Sequence, residues 1–326
     1  MNGMKQINLQ DYGLNRNFIT QSMEYHDLYL ARIISQEKNF YQAVCVNGVL
    51  FAEVSGKLRF EATIQSDFPT VGDFVMLDRC NNKNGNAIIH HVLHRKSLFV
   101  RKAAGKVNEE QVVAANIDIV FLCMSLNKDF NIHRLERYLS LTWESGAIPV
   151  VVLTKSDLCD NVHRKLQVVN SIALGVDVVV TSFIEPDGYK QISKYIKPGC
   201  TVALLGSSGV GKSSLINCLM GGEFLNTKEI RIDDDKGRHA TTRRELFLIS
   251  GGGIVIDTPG MRELGMWDVS EGLDKSFADI EAYFGKCHFR NCTHTSEPGC
   301  AIWEAIAHQE LSPKRWESYR RLKTEA

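Results

Sequence analysis

The first part of the chain alternates between apolar and polar positions in short segments, the pattern of half-buried β-strands. Turn signals such as Asn47-Gly48 and Ser55-Gly56 separate one segment from the next. The predicted strands are residues 40–46, 49–54, 57–63, 73–77 and 86–93. Short strands at this spacing are typical of a small barrel, and we predict an OB-like β-barrel over residues 1–105. Barrels of this kind often bind RNA, but a structural or protein-binding role fits the pattern equally well.

The pattern changes near residue 106, where continuous apolar runs alternate with segments of helical periodicity. The runs predict buried strands at residues 117–125, 149–153, 176–181 and 201–205, with helices at 133–144 and 164–174. A hairpin is predicted around Gly251-Gly252. We therefore expect a doubly wound α/β domain over residues 106–272, whose functional loops lie at the carboxyl ends of its strands.

Composition narrows the class of protein. The 326 residues are 44% hydrophobic and 23% charged, which is enough apolar material for real cores. Lys and Arg number 38 and so do Asp and Glu, so a nucleic-acid contact would need a local basic patch. Two stretches qualify, residues 94–106 around Phe99 and the final helix that Pro313 is expected to begin, but a solvated surface explains each equally well.

The chain carries no apolar run approaching 18 residues, and its N-terminus leads into no apolar segment. We therefore expect neither a membrane span nor a secretory signal. Nine cysteines, an odd number, favour a reducing compartment and a cytoplasmic protein. Six of them are isolated in the sequence and are expected to be small buried side chains.

The strongest motif is a phosphate-binding loop, Gly-Ser-Ser-Gly-Val-Gly-Lys-Ser, between a predicted strand and a predicted helix. Its backbone N–H groups would surround the phosphates at the start of the helix. Lys212 would reach the β- and γ-phosphates as an electrostatic catalyst, and the Ser213 hydroxyl would bind Mg²⁺. The residues expected to bind the phosphates are Gly206, Ser207, Ser208, Gly209, Val210, Gly211, Lys212, Ser213 and Ser214.

Two further loops, together with the phosphate loop, indicate a GTP-binding site. The loop Thr154, Lys155, Ser156, Asp157 resembles the guanine-reading motif Asn-Lys-x-Asp, with Thr in place of the Asn. An ionised Asp157 can accept hydrogen bonds from guanine N1–H and N2–H₂, whereas adenine offers no such pair of donors.

The second loop lies at the end of the predicted hairpin. There Asp257 is expected to support the Mg²⁺ shell, and Gly260 to contact a γ-phosphate. GTPases normally place the guanine-reading loop after the phosphate loop, whereas here it comes first. The sequence therefore predicts a circularly permuted GTPase, whose Asp257–Gly260 switch leads directly into the C-terminal region.

Residues 273–326 are expected to form a zinc-binding module of helix and loop. Its ligands would be Cys287, Cys292, His294 and Cys300, since three thiolates and one imidazole suit one tetrahedral, structural Zn²⁺. His288 is a rival ligand that leaves a poorer loop, and an iron–sulfur cluster is less compatible with the histidine.

The barrel, the permuted motifs and the Cys/His spacing together resemble the bacterial ribosome-small-subunit-dependent GTPase A (RsgA) family over essentially the whole chain. Residues 101–105, 129–131, 134–138 and 237–242 match that family in character. The resemblance implies a GTPase that hydrolyses GTP to GDP and phosphate, and we expect a monomer. It also implies a factor that binds the small (30S) ribosomal subunit and its 16S rRNA, is stimulated by the subunit and acts in its late maturation.

The catalytic water needs an orienting group, because Met261 stands where many GTPases carry Gln. We predict His239 for this role, in agreement with the resemblance, with an exposed loop histidine or a ribosomal group as alternatives. The family tends to carry three consecutive threonines where this chain has Ala240. That leaves Thr241 and Thr242 as candidate Mg²⁺ ligands, and we favour Thr242.

Two other classes of function are compatible with part of the pattern. A phosphate-loop ATPase or small-molecule kinase would prefer adenine, against the chemistry of Asp157. A nucleotide-gated scaffold or metal-handling protein would bind partners without stimulated hydrolysis. Competition between GTP and ATP tests the first class, and turnover with and without small subunits tests the second.

Overall fold

The computed structural model describes residues 6–37, 40–81, 83, 85–102, 110–185, 188–221, 244–249, 251–257, 273, 276–295 and 297–325. Predictions that concern His239, Thr241, Thr242, Gly260 or Met261 lie outside the described residues. Within the described part, no helix has the length and apolar character needed to cross a membrane.

After a short helix α1 (Arg16–Ser22), five strands form the predicted N-terminal barrel. Its strands are β1 (Tyr29–Glu37), β2 (Phe40–Cys45), β3 (Gly48–Val54), β4 (Phe74–Leu77) and β5 (Ala87–Val92). They pair in the order β1-β2-β3-β5-β4, and β4 pairs back with β1 to close the barrel. Small and branched apolar side chains from all five strands fill the interior. This closed order confirms the OB-like barrel.

Two details of the barrel prediction are wrong. Residues 57–63 are not a strand, because helix α2 (Gly56–Glu61) occupies most of them. The Ser55 hydroxyl caps this helix by accepting a hydrogen bond from the Leu58 N–H at 3.0 Å. The missed strand is β1, which does not alternate because the three consecutive residues Ala31, Arg32 and Ile33 are all buried.

A hairpin follows the barrel, formed by β6 (Leu98–Lys102) and β7 (Glu110–Ala115). The basic stretch 94–106 is therefore partly a strand and not simply a linker. Phe99 is only 2% exposed and packs in the main hydrophobic core, so its ring is not available to stack on RNA.

The α/β domain is doubly wound, as predicted. Its sheet has the order β10-β9-β8-β11-β13-β12, and only the hairpin strand β12 runs antiparallel to its neighbour in this part of the described chain. The strands are β8 (Ile119–Ser125), β9 (Ile148–Thr154), β10 (Asp177–Val180), β11 (Thr201–Leu205), β12 (Arg244–Leu248) and β13 (Ile254–Asp257). The associated helices are α3 (Ile132–Glu144), α4 (Val162–Asn170), α5 (Lys190–Ser193) and α6 (Lys212–Met220). Alternate residues of β8 enter two separate cores, one on each face of the sheet.

The barrel and the α/β sheet are joined by hydrogen-bonded strands. Strand β1 pairs with β12 through Ser35↔Glu245 and Gln36↔Arg244, which makes one 11-stranded sheet. Beside this seam the buried Arg32 side chain donates to the Thr201 hydroxyl at 3.0 Å. Burial lowers the pKa of Arg32 to about 10 against the opposing effect of Asp118 and Asp73, so the guanidinium stays charged near neutral pH.

The C-terminal part contains helices α7 (Ala278–Glu281), α8 (Ala301–Ala307) and α9 (Pro313–Glu325). Helix α9 is the predicted basic helix, but one of its cations is buried. Arg315 lies 3.2 Å from Glu136 of α3 and 3.0 Å from Asp279 of α7. This ion-pair network fixes the C-terminal part against the α/β domain.

Two of the six isolated cysteines are buried, as expected, but they are bonded to each other. Cys45 and Cys80 of the barrel form a disulfide, with their Cα atoms 6.2 Å apart, although they are separated by 35 positions and neither belongs to a sequence cluster. Proximity of this kind is created by the closing of the barrel and has no signature in the sequence.

Candidate nucleotide site and metal centre

The phosphate-binding loop lies between β11 and α6, at the carboxyl edge of the sheet where the sequence predicted it. Gly206 is required by close packing, since a Cβ there would lie 2.5 Å from the Cys123 carbonyl oxygen. Gly211 has a φ of +106°, which disfavours any side chain immediately before the helix. The Lys212 ammonium donates to the carbonyl oxygens of Gly206 and Ser207, both at 2.6 Å. The Lys212 side chain thus lies along the phosphate-binding loop, where it is expected to contact the phosphates.

The guanine-reading loop is hydrogen-bonded to the phosphate loop. The Thr154 hydroxyl, which is fully buried, donates to the Val210 carbonyl at 2.6 Å. The Lys155 ammonium donates to the Gly209 carbonyl at 2.7 Å, and Lys155 itself has a left-handed backbone with φ of 58°. The Thr that replaces the usual Asn therefore still connects the two loops. These bonds fix the distance between the base-binding and phosphate-binding groups.

The Asp157 carboxylate receives a hydrogen bond that the sequence analysis missed. Ser182, two residues after the end of β10, donates its hydroxyl to Asp157 Oδ1 at 2.7 Å. Ser182 is 1% exposed, so its hydroxyl is held in one place. Its position after a predicted strand, at the same sheet edge as the other loops, is the signal that could have identified it. A carboxylate oriented in this way can present its lone pairs to guanine.

The third loop is described only at its first residue. Asp257 ends β13, which pairs in parallel with β11, so Asp257 and the phosphate loop lie at the same edge. Ser213 and Ser214 lie in the first turn of α6 and are half-buried. The described residues thus bring together the guanine-reading loop, the phosphate loop and Asp257. The rest of that switch lies outside them.

The four predicted metal ligands also converge. The sulfur atoms of Cys287, Cys292 and Cys300 and a ring nitrogen of His294 all lie within 4.8 Å of one another. His294 Nδ1 is 3.4 Å from the sulfur atoms of both Cys287 and Cys300. Phe284 stacks on the imidazole at 4.9 Å, and this contact orients the ring. The rival His288 is exposed and is not one of the converging groups. Three thiols and one imidazole at these separations fit a tetrahedral Zn²⁺.

Fold and site together define a phosphate-loop GTPase whose motifs are in circularly permuted order. Comparison with known proteins gives the family. The model of the RsgA GTPase family matches residues 92–267, and the chain belongs to that family.

Relatives of nearly the same length support this assignment. The "Small ribosomal subunit biogenesis GTPase RsgA 2" of Lactiplantibacillus plantarum is 44% identical over 98% of this chain and 89% of the relative. The RsgA protein of Methanosarcina acetivorans, with the same functional name, is 41% identical over 96% of this chain and 84% of its own length.

Two solved structures share the fold. YjeQ from Thermotoga maritima superimposes with a TM-score of 0.68 and 26% identity, over 91% of this chain and 98% of that protein. YloQ, described as a circularly permuted GTPase, gives a TM-score of 0.65 and 26% identity, over 92% of this chain and 96% of YloQ. The predicted permutation is confirmed.

Proposed function

We propose that this chain binds the small ribosomal subunit, acts in its late maturation and hydrolyses GTP to GDP and phosphate there with stimulation by the subunit. The proposal that the chain binds GTP rests on the direct hydrogen bonds from Thr154 and Lys155 to the phosphate loop. It links a guanine-selective carboxylate to a phosphate cradle at a fixed separation. The ribosomal partner is supported by relatives that cover nearly the whole chain and are named as small-subunit biogenesis GTPases.

The residues of the site divide the work of hydrolysis. Asp157, held by Ser182, selects guanine, while the N–H groups of residues 206–214 bind the phosphates. Lys212 would exchange its two carbonyl partners for phosphate oxygens and offset the charge that develops on the leaving group. Ser213 and Thr242 would hold Mg²⁺, with Asp257 supporting its shell, and the ion would supply further charge neutralisation. His239 would accept a hydrogen bond from the attacking water.

The C-terminal cluster would hold one structural Zn²⁺ through Cys287, Cys292, His294 and Cys300. Four protein ligands leave no open position, so the ion would stabilise the module and not act in hydrolysis. The exposed cations of helix α9, among them Lys314, Arg320 and Arg321, would then be presented to 16S rRNA beside the module. A ribosomal partner also implies a cytoplasmic location, and we propose that the chain acts as a monomer.

The deciding experiment is multiple-turnover GTP hydrolysis by the purified chain, alone and with purified 30S subunits at fixed salt. Stimulation by 30S and not by 50S subunits is the expected result. An unstimulated rate with tight 30S binding would replace the enzyme proposal by a nucleotide-gated scaffold. Preference for ATP in a competition assay would contradict the role of Asp157.

A further inference from the structure

The ion pair of Asp129 and Arg134 lies beside the phosphate loop, and Asp129 contacts it directly. Asp129, in the loop after β8, accepts a hydrogen bond from the Ser207 hydroxyl through Oδ2 at 2.5 Å. Arg134, in the first turn of α3, lies 2.8 Å from the same oxygen. Ser207 is the second residue of the phosphate loop.

The loop that carries Asp129 is held by its own hydrogen bonds. Asn127 Oδ1 accepts from the Asp129 N–H at 2.9 Å and from the Ser125 hydroxyl at 2.8 Å. The Asn131 side chain caps helix α3 by accepting from the Arg134 N–H at 3.0 Å. Arg134 also donates to the Asp129 carbonyl oxygen. The carboxylate is therefore presented to Ser207 by a fixed loop and a capped helix.

A carboxylate beside a phosphate-binding loop creates an electrostatic difficulty. Burial alone would raise the pKa of Asp129, but the hydrogen bonds from Ser207 and Arg134 outweigh it and hold the pKa below its ordinary value. Asp129 is consequently ionised at neutral pH and would repel the polyphosphate. Arg134 places one positive charge against it, which makes the pair neutral as a unit.

We propose that Asp129 and Arg134 are positioning residues for nucleotide binding, in which Asp129 anchors the phosphate loop through Ser207 and Arg134 cancels the charge of that anchor. The inference rests on the proposed function, since it takes residues 206–214 as the phosphate site. The proposal predicts different losses of affinity for GTP and for GDP when Arg134 is removed. Because GTP carries one more negative charge than GDP, an uncompensated Asp129 would weaken GTP binding more than GDP binding.

The test is a double-mutant cycle on nucleotide affinity, with dissociation constants of fluorescent GDP and a non-hydrolysable GTP analogue. Arg134→Gln keeps a long polar side chain but leaves the carboxylate uncompensated, and we expect about a tenfold loss for the GTP analogue and a smaller loss for GDP. Asp129→Asn keeps an acceptor for Ser207, and a loss of no more than about threefold is expected. The double variant should recover to within about threefold of Asp129→Asn alone.

Salt and a control variant separate charge from structure. The Arg134→Gln defect should shrink at high salt, since the Debye length falls from about 10 Å at 0.1 M to about 3 Å at 1 M. Arg164→Gln removes an exposed cation from the neighbouring helix α4 and should leave both affinities unchanged. Thermal unfolding of each variant measures folding separately.

Three outcomes overturn the inference. They are an Arg134→Gln variant that binds both nucleotides like the parent, equal losses for GTP and GDP, and a double variant no better than Arg134→Gln. A parent chain that binds neither nucleotide would overturn the proposed function, and this inference with it.

Discussion

The nucleotide site and the metal centre are assembled over very different distances along the chain. Thr154 bonds to a residue 56 positions away, and Asp157 to one 25 positions away. The four metal ligands, in contrast, lie between residues 287 and 300. One site is brought together by a sheet with a core on each face, and the other by a short segment of loops and turns.

The two sites are therefore expected to be held in place by different interactions. The nucleotide loops are joined to each other by direct hydrogen bonds, so the fold itself defines their geometry. The metal ligands converge as three thiols and one imidazole, with His294 Nδ1 3.4 Å from the sulfur atoms of Cys287 and Cys300. Thiols become good ligands only when they lose their protons to a cation. We therefore expect the nucleotide site to keep its shape without ligand, and the C-terminal module to depend on its ion.

Removal of the metal should have the largest effect. Cys292→Ser, or treatment with a strong chelator, should abolish stoichiometric zinc and melt the C-terminal module, because zinc binding contributes about 10–16 kcal/mol to folding in small zinc domains. Metal analysis and thermal unfolding measure the two effects. Cys159→Ser, a free cysteine outside the cluster, should retain full zinc. Undiminished zinc in Cys292→Ser would refute the ligand set, and full zinc in His294→Ala would make His288 the ligand.

Replacement of the guanine-selecting carboxylate should come next. Asp157→Asn offers one acceptor and two donors, so it should lose GTP affinity by about 1–3 kcal/mol and gain affinity for XTP. Competition binding of GTP and XTP measures the change. Asp160→Asn, an exposed carboxylate three positions away, is the matched control and should bind GTP normally. Parent-like GTP binding by Asp157→Asn without any gain for XTP would remove Asp157 from this role.

His239→Ala tests the catalytic water. It should preserve GTP binding and 30S binding but lower stimulated hydrolysis by roughly tenfold or more, because the water would lose its acceptor. Turnover at saturating 30S subunits is the measurement. A rate within about twofold of the parent would favour a water-orienting group supplied by the ribosome.

The bond between the two nucleotide loops should have the smallest effect. Thr154→Val removes the donor to Val210 at nearly constant volume, and GTP affinity should fall by about 1 kcal/mol, roughly fivefold. Thr154→Ser retains the hydroxyl and should bind within about twofold of the parent. Equal losses in both variants would mean that side-chain packing, and not the hydrogen bond, maintains the loop.

The sequence predicted those parts of the molecule in which residue type itself carries the chemistry. The phosphate loop, Asp157 and the Cys/His cluster could be located because few other residues can replace them. Ser182 and Asp129 were not assigned, because their roles arise from contacts across 25 and 78 positions that only the fold creates. A single Ser or Asp has no surrounding sequence motif from which such a distant partner could be predicted.

The errors in secondary structure have a similar cause. Apolar and polar residues alternate over residues 57–63 as they would in a strand. The apolar Phe60 is nevertheless 91% exposed, so the alternation there does not correspond to a buried face. Strand β1 contains Arg32, a charge that normally marks a surface position but is buried here. Its hydrogen-bond partners come from Tyr12, Gly72, Asn116 and Thr201, and no local window of sequence includes them.

The seam between β1 and β12 also affects solubility. Without the barrel, β12 would be the outermost strand of the α/β sheet and would present free N–H and C=O groups along its edge. An uncovered edge is a template on which a second copy can add its own strand, the first step of edge-to-edge aggregation. The barrel thus acts as a permanent cap on the sheet. A truncated chain without the barrel would be expected to self-associate through β12 even if its nucleotide loops were intact.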